Sequence, residues 1–482
     1  MALIICIDIF VVAWLTIRAA RSGFESVLPL ATFLFMLFPI ESQFTIPGLF
    51  DLTTQRTIVF TLIGLYFMFG RGHSGEEAQK LPIAGLLILQ IVWMSVATFN
   101  SVVFSVSLKT VLSQILDFFT VFYLYSKTIR SRDTINRILM GFVSAMILLS
   151  FFAAIESYFD WSLLTLFPQI SHRFDVSSDI YDRIDRVRTT FGHPILFGGT
   201  LAMAIPAALY LLQIVKTFQA RAGLWFGIAL MFLAIYKTDS RGPWLALLMS
   251  CVGLTLFGGR KLRRYLVIIA LLTSVTLVLR PGIWTSLYNM YTATRDPDSP
   301  MGVSYQWRYA LYDLVKKELG HDSARAVWGY GPESFYYLGL TTDFMLDGEI
   351  RTVKVESCDS SVAALMMETG YVGFLITALM LLAPLFIALR CFWRGNEDTR
   401  LLPLLFICNL SAYFFLMTNV AIYGWGQQSY VLWIVLAMAA IYPVVLRREA
   451  KSKIEPDAAP APAPEQQWGT ARAVYPDTHL VS

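Results

Sequence analysis

Charge is scarce in this chain. Of 482 residues, Asp, Glu, Lys and Arg make up 15%, against 56% hydrophobic residues. Soluble domains carry roughly 25% charge, so an ordinary soluble protein is excluded. Cysteine is scarce too: there are five, and no two form a CxxC pair. That removes both a zinc site and a disulfide framework. Four of them (Cys6, Cys251, Cys391, Cys408) lie in or at the ends of apolar spans, and Cys358 lies in a polar stretch. No P-loop, no Rossmann fingerprint, no His/Asp cluster spaced for a metal and no internal repeat occurs. Neither a cofactor nor a metal is therefore expected. A net charge of +4 says little about partners and gives no footprint for nucleic acid.

What the chain has in quantity is long apolar runs, with a mean hydropathy of +0.58. Backbone polar groups in lipid must be satisfied within each segment. The expected class is therefore an all-α polytopic membrane protein of about 13 transmembrane helices, within a range of 12–14. The spans are 2–17, 27–40, 57–70, 81–99, 110–126, 138–159, 194–215, 222–236, 243–257, 265–280, 361–389, 401–423 and 429–446. The first has no basic n-region and no small-residue cleavage site, so a retained helix is expected. Every second connection is basic, from Arg18 and Arg21 through Arg130, Arg132 and GGRKLRR (258–264) to Arg447 and Arg448. By the Lys/Arg bias of short loops these face the cytoplasm. The other connections then face outward, including the loop 160–193, the turn 237–242 and a large loop, 281–360, between helices 10 and 11. Residues 454–482, rich in Pro and Ala, read as a disordered tail.

The outward segments hold the residues with chemistry. Arg183, Arg186, Arg188 and His193 crowd the membrane entry at Pro194. Guanidinium forks match phosphate oxygens; headgroup anchoring, or pairing with Asp179, Asp182 and Asp185, is the competing reading. In Thr238-Asp239-Ser240-Arg241-Gly242-Pro243, a fixed cation stands at the outer end of a helix, where it faces a polar cavity or snorkels to water. Residues 303–319 have Trp307, Leu311, Leu314 and Val315 at helical spacing, with Arg308, Lys316 and Lys317 opposite, so an amphipathic helix is expected. In Trp328–Phe335, Gly329 and Gly331 either approach a ligand with bare backbone or simply turn the chain, with Glu333 beside them. Glu356 to Ser361 precede an apolar helix that Asp359 or Ser360 would cap.

In order, FGHPILFGG, DSRG, WRYALY, GYGPESF and DSSVAALMMETGYVGFL resemble the O-antigen ligase and polymerase family over roughly residues 180–390. The resemblance implies a glycosyltransferase of the bacterial inner membrane, working at the periplasmic face in exopolysaccharide or O-antigen synthesis. Its donor would be an undecaprenyl-pyrophosphate-linked oligosaccharide and its acceptor a glycan, with a polysaccharide co-polymerase as a further candidate partner. It implies that Arg188, Arg241 and Arg308 hold the pyrophosphate, with His193 in the element that opens the following helix. Arg186, Ser240, Gly329, Gly331 and Glu333 are the further expected substrate contacts. Where ligases carry a histidine before the ExG helix, this chain has Asp359. A carboxylate base there tilts the reading toward a polymerase, with Glu333 or Glu356 as substitutes. The expected divisions are 1–180, the family-like core 181–390, C-terminal helices 391–446 and a tail 447–482. The competing function is a flippase for the lipid-linked sugar.

Overall fold

The computed structural model describes residues 2–40, 42–44, 51–70, 80–159, 161–167, 186–279, 281–296, 299–346, 349–355 and 358–454. In chain order the first helices are α1 (Ala2–Ser22), α2 (Val27–Leu37), α3 (Thr54–Leu65), α4 (Ala84–Phe99), α5 (Phe104–Gln114), α6 (Thr120–Thr128) and α7 (Arg132–Phe159). Next come α8 (Pro194–Ile214), α9 (Phe218–Lys237), α10 (Arg241–Phe257), α11 (Arg260–Leu279), α12 (Pro281–Arg295), α13 (Pro300–His321) and α14 (Ser323–Trp328). The chain closes with α15 (Ser361–Arg394), α16 (Leu401–Met417) and α17 (Gly426–Ile454).

Two helices form the centre. α8, and α17 from Tyr430 to Leu446, are apolar on every side and largely buried, as a helix without a polar stripe must be. α7, α10, α15 and α16 pack around them, and α2 packs on α7. The periphery exposes large apolar side chains such as Ile9, Phe10, Phe99 and Phe226. Among the described residues, seven helices are long and apolar enough to cross a membrane, and four shorter apolar helices accompany them. The helices on the sequence spans 57–70 and 265–280 belong to neither group.

The chain is not purely helical. Among the described residues two antiparallel strand pairs occur, β1 (Gln43–Phe44) with β2 (Leu52–Thr53), and β3 (Thr341–Leu346) with β4 (Glu349–Lys354). The second lies in the large loop, where β-branched Thr341, Thr342, Ile350, Thr352 and Val353 flank an Asp-Gly pair. The expected amphipathic helix is α13. It starts earlier than its apolar pattern, because Ser299 accepts from the Gly302 N–H at 3.0 Å and Pro300 fits the first turn. Its apolar face buries Leu311, Leu314, Val315 and Leu319 against Phe335 and Met367.

The alternation of loops has a direct counterpart. Arg132 bonds Glu449 at 2.6 Å and the Asp398 carbonyl at 3.2 Å, joining three basic segments at one end of the bundle. At the other end Arg325 donates to the Asn100 carbonyl at 2.6 Å, Arg186 to the Thr238 carbonyl at 2.9 Å and Arg308 to the Asn419 carbonyl at 3.1 Å. Segments expected on one side thus meet one another.

Candidate active site

The first wall of the site is made where residues 186–193 meet the turn between α9 and α10. The Val187 N–H donates to the Lys237 carbonyl at 3.2 Å, laying the strand-like segment along the turn. Arg186 then reaches the Thr238 carbonyl and also bonds the Ser240 hydroxyl, which itself donates to Thr238 at 2.9 Å. Glu156, near the end of α7, takes the backbone N–H groups of Arg188 (3.2 Å) and Thr189 (3.0 Å). An acid within an apolar helix is thereby spent on fixing the arginine segment. Arg241 opens α10 and bonds the Thr294 hydroxyl of α12. His193 is the N-cap of α8, its Nδ1 accepting from the Ile195 N–H at 3.2 Å. Burial, with Arg186 and Arg188 close by, pushes its pKa down to about 4. The imidazole is therefore neutral at pH 7, with its proton on Nε2. Arg183, Asp179, Asp182 and Asp185 lie outside the described residues.

The second wall is the large loop and the chain around the end of α16. Arg308 holds the Asn419 carbonyl, and the Tyr312 hydroxyl contacts Ser360 Oγ at 2.8 Å and the Thr418 carbonyl at 3.3 Å. Ser361 ties α15 to the same segment: its Oγ donates to Val420 O at 2.9 Å and accepts from Ile422 N at 2.8 Å and Tyr423 N at 3.0 Å. Ser360, not Asp359, caps α15, accepting from the Ala363 N–H at 3.3 Å. Asp359 is half-buried just before the cap. Glu356 lies outside the described residues.

The glycine turn has a packing role that the sequence did not reveal. α15 is broken at Gly370, whose φ of 70° is left-handed. The break frees carbonyls that the turn satisfies: Tyr330 N donates to Met367 O at 3.0 Å and Gly331 N to Glu368 O at 2.8 Å. Gly329 (φ 74°) abuts the Glu368 and Gly370 backbone, and Gly331 (φ 98°) abuts Ser101, so a Cβ fits at neither. Both glycines face protein here. Trp328 stacks on Trp93 of α4 at 4.6 Å, and Arg325 lies over Tyr330 at 4.7 Å. The Glu333 N–H donates to the Glu368 carboxylate, so these two acids are neighbours. Tyr309 and Tyr337 remain exposed.

The two walls meet at the end of α16. Gly242 packs beside Leu416, one turn before the Asn419 that Arg308 holds, and α12, which carries Thr294, packs on α13. Arg186, Arg188, Arg241 and Arg308 thus share one end of the bundle with His193 and Asp359. Fixed guanidinium groups so arranged suit a multiply charged phosphate ligand. Residues 226–378 match the family model described as O-antigen ligase. Over that stretch the chain is O-antigen ligase-like. No curated protein matches the chain.

The O-antigen ligase-like stretch runs from α9 into α15 and contains Ser240, Arg241, Arg308, Gly329, Gly331, Glu333 and Asp359, while Arg186, Arg188 and His193 precede it. With the apolar helices among the described residues, it marks a multi-pass membrane protein. Sequence reasoning did not reach Thr294, Ser361 or Asn419. Only Ser361 had a signal, as the second serine of a Ser-Ser pair entering a helix. Thr294 is one hydroxyl among many, and Asn419 acts through its carbonyl.

Proposed function

We propose that the chain is a polysaccharide polymerase. At the periplasmic face of the inner membrane it would join undecaprenyl-pyrophosphate-linked oligosaccharide repeats into a chain. The observation that supports this is that Arg186, Arg241, Arg308 and Asp359 lie at one end of the bundle, three of the four inside the O-antigen ligase-like stretch. Asp359, standing where ligases carry a histidine, supports chain joining over transfer to a lipid A core.

In the proposed reaction an acceptor sugar hydroxyl attacks the donor's anomeric carbon. The new C–O bond forms as the bond from that carbon to the pyrophosphate oxygen breaks, and undecaprenyl pyrophosphate leaves with the electron pair. The hydroxyl proton passes to the Asp359 carboxylate, a base when its pKa suits. Arg241 and Arg308, with Arg186 and Arg188, offset the charge that grows on the leaving oxygen, a contribution of several kcal/mol for preorganised cations. His193, neutral, stands beside the arginines without adding charge. The exposed Tyr309 and Tyr337 offer faces for sugar rings.

A deletion strain tests this reading. Single lipid-linked repeats accumulating on the outer leaflet are expected. Repeats retained on the inner leaflet would contradict it and point to a flippase.

A further inference from the structure

One stretch of chain touches both walls of the site. The segment 418–428 leads from the end of α16 into α17. Its start belongs to the second wall, where Tyr312 bonds the Thr418 carbonyl, Arg308 the Asn419 carbonyl, and Ser361 the backbone of Val420, Ile422 and Tyr423. Ser429 then folds the stretch on itself. Its hydroxyl is shared between the Ile422 carbonyl at 2.7 Å and the Trp425 carbonyl at 2.8 Å, and it accepts from the Trp425 N–H at 3.0 Å. Gly426, left-handed at φ 74°, opens α17, and Gln427 after it is fully buried.

The Gln427 side chain reaches the first wall. Its Nε2 donates to the Thr190 carbonyl at 2.7 Å and to the Phe38 carbonyl at 3.0 Å. Both neighbours are carbonyl oxygens, which only accept, so they fix which end of the amide faces them. Gln55 Nε2 also serves the Phe38 carbonyl, which leaves the Thr190 bond as the distinctive contribution of Gln427. Thr190 belongs to the turn on which Arg188 stands. The Phe191 N–H returns to the Arg188 carbonyl at 3.1 Å, and Thr189 between them has a φ of 48°. A β-branched residue is rarely left-handed, and such a conformation persists only where its surroundings over-determine it. Here Glu156 holds the N–H groups of Arg188 and Thr189, and Gln427 holds the carbonyl that follows.

We propose that Gln427 is a positioning residue for glycan transfer, acting through Arg188. Its amide fixes the strained turn, and so fixes where Arg188 stands before the pyrophosphate arrives. Because the same stretch of chain is bonded to Arg308, the two walls are set against each other. The role in transfer rests on the polymerase reading; the hold on the turn does not.

Gln427→Met keeps most of the side-chain volume and removes both donated bonds, and Gln427→Asn keeps an amide that stops short of Thr190. Gln55→Met is the comparator: it takes a buried amide from Phe38 without touching the turn. In the full chain in nanodiscs, hydrogen exchange of peptides covering 186–193 should accelerate at least about fivefold in both Gln427 variants, as for loss of one buried hydrogen bond. Peptides from α10 should stay unchanged, which separates a loosened turn from a misfolded chain, and Gln55→Met should match the parent throughout 186–193. With a lipid-linked repeat in liposomes, turnover of the Gln427 variants should fall about ten- to a hundredfold at parent insertion level. In an Arg188→Ala background the same substitutions should cost less than about twofold more. Exchange as slow as the parent's would overturn the hold on the turn. Unchanged turnover, or a loss that adds in full to that of Arg188→Ala, would overturn the role in transfer. If the intact protein does not elongate, the polymerase reading and that role fall together, and the exchange result alone decides the hold.

Discussion

Removing one hydroxyl, that of Ser361, should loosen the whole outer end. Ser361 is 3% exposed, and its Oγ is the acceptor for the backbone N–H groups of Ile422 and Tyr423. In Ser361→Ala the Val420 carbonyl keeps the Ser361 N–H at 3.2 Å, so the acceptor side loses little. The two donors lose this acceptor. At about 1–3 kcal/mol for each unmet buried donor, less for the shallower Tyr423, the junction weakens by about 2–4 kcal/mol. Cys358 reports on that junction. Its thiol is 2% exposed, donates to the Ser360 carbonyl at 3.3 Å, and burial pushes its pKa up to about 12. Maleimide can reach it only when the junction opens, so labelling should accelerate roughly 30- to 1000-fold. Peptide-resolved mass spectrometry separates Cys358 from the exposed Cys6. Ser361→Thr retains the hydroxyl and should label near the parent rate. Labelling of Ser361→Ala as slow as the parent would refute the account of how the walls are joined.

Gly370→Ala forces an L side chain into a left-handed conformation and drives its Cβ into the Val327 carbonyl, at a cost of roughly 2–5 kcal/mol. The Trp93–Trp328 stack should open, changing tryptophan fluorescence; an unchanged spectrum and melting temperature would contradict the docking described. Asp359→Asn should cut turnover at least about a hundredfold with little effect on unfolding, whereas Ser360→Ala should cost about 1 kcal/mol of stability. Full turnover in Asp359→Asn would remove that residue as the base. His193 takes a proton near 6.5 when unfolded but only near 4 when folded, so its contribution is present above pH 6.5 and is lost as pH falls toward 4. The melting temperature should drop across that window by the equivalent of at most about 3 kcal/mol. His193→Asn keeps a capping side chain and should flatten that drop; an equal drop in both proteins would assign it to another group.

Much of the architecture was legible because it follows from one-dimensional patterns. Apolar runs marked the central helices, the basic alternation sorted the connections into two ends, and the spacing of Leu311, Leu314 and Val315 gave the buried face of α13. Arg186, Ser240 and Arg241 were readable because cations and a turn at an apolar boundary are conspicuous. What stayed hidden was chemistry carried by backbone. The break at Gly370 sits inside an apolar run, and the carbonyls of Asn419, Thr238 and Met367 carry no residue signature. Gly329 and Gly331 were conspicuous for the right physical reason, close backbone approach, but what approaches them is α15 and Ser101. The hairpin of β3 and β4 was missed although its β-branched strands and Asp-Gly pair are a recognised hairpin signal.

The most direct measurement reconstitutes the purified chain in liposomes with a synthetic undecaprenyl-pyrophosphate-linked repeat as both donor and acceptor. Products are resolved by chain length, and released undecaprenyl pyrophosphate is counted alongside. The account predicts a ladder of longer glycans with one pyrophosphate carrier released per bond. Arg241→Ala and Arg308→Ala, still inserted at parent level, should lose it, and the corresponding Lys variants should be poor because bidentate geometry is gone. Full ladders from both alanine variants, or no elongation by the intact protein under conditions where the donor binds, would contradict it.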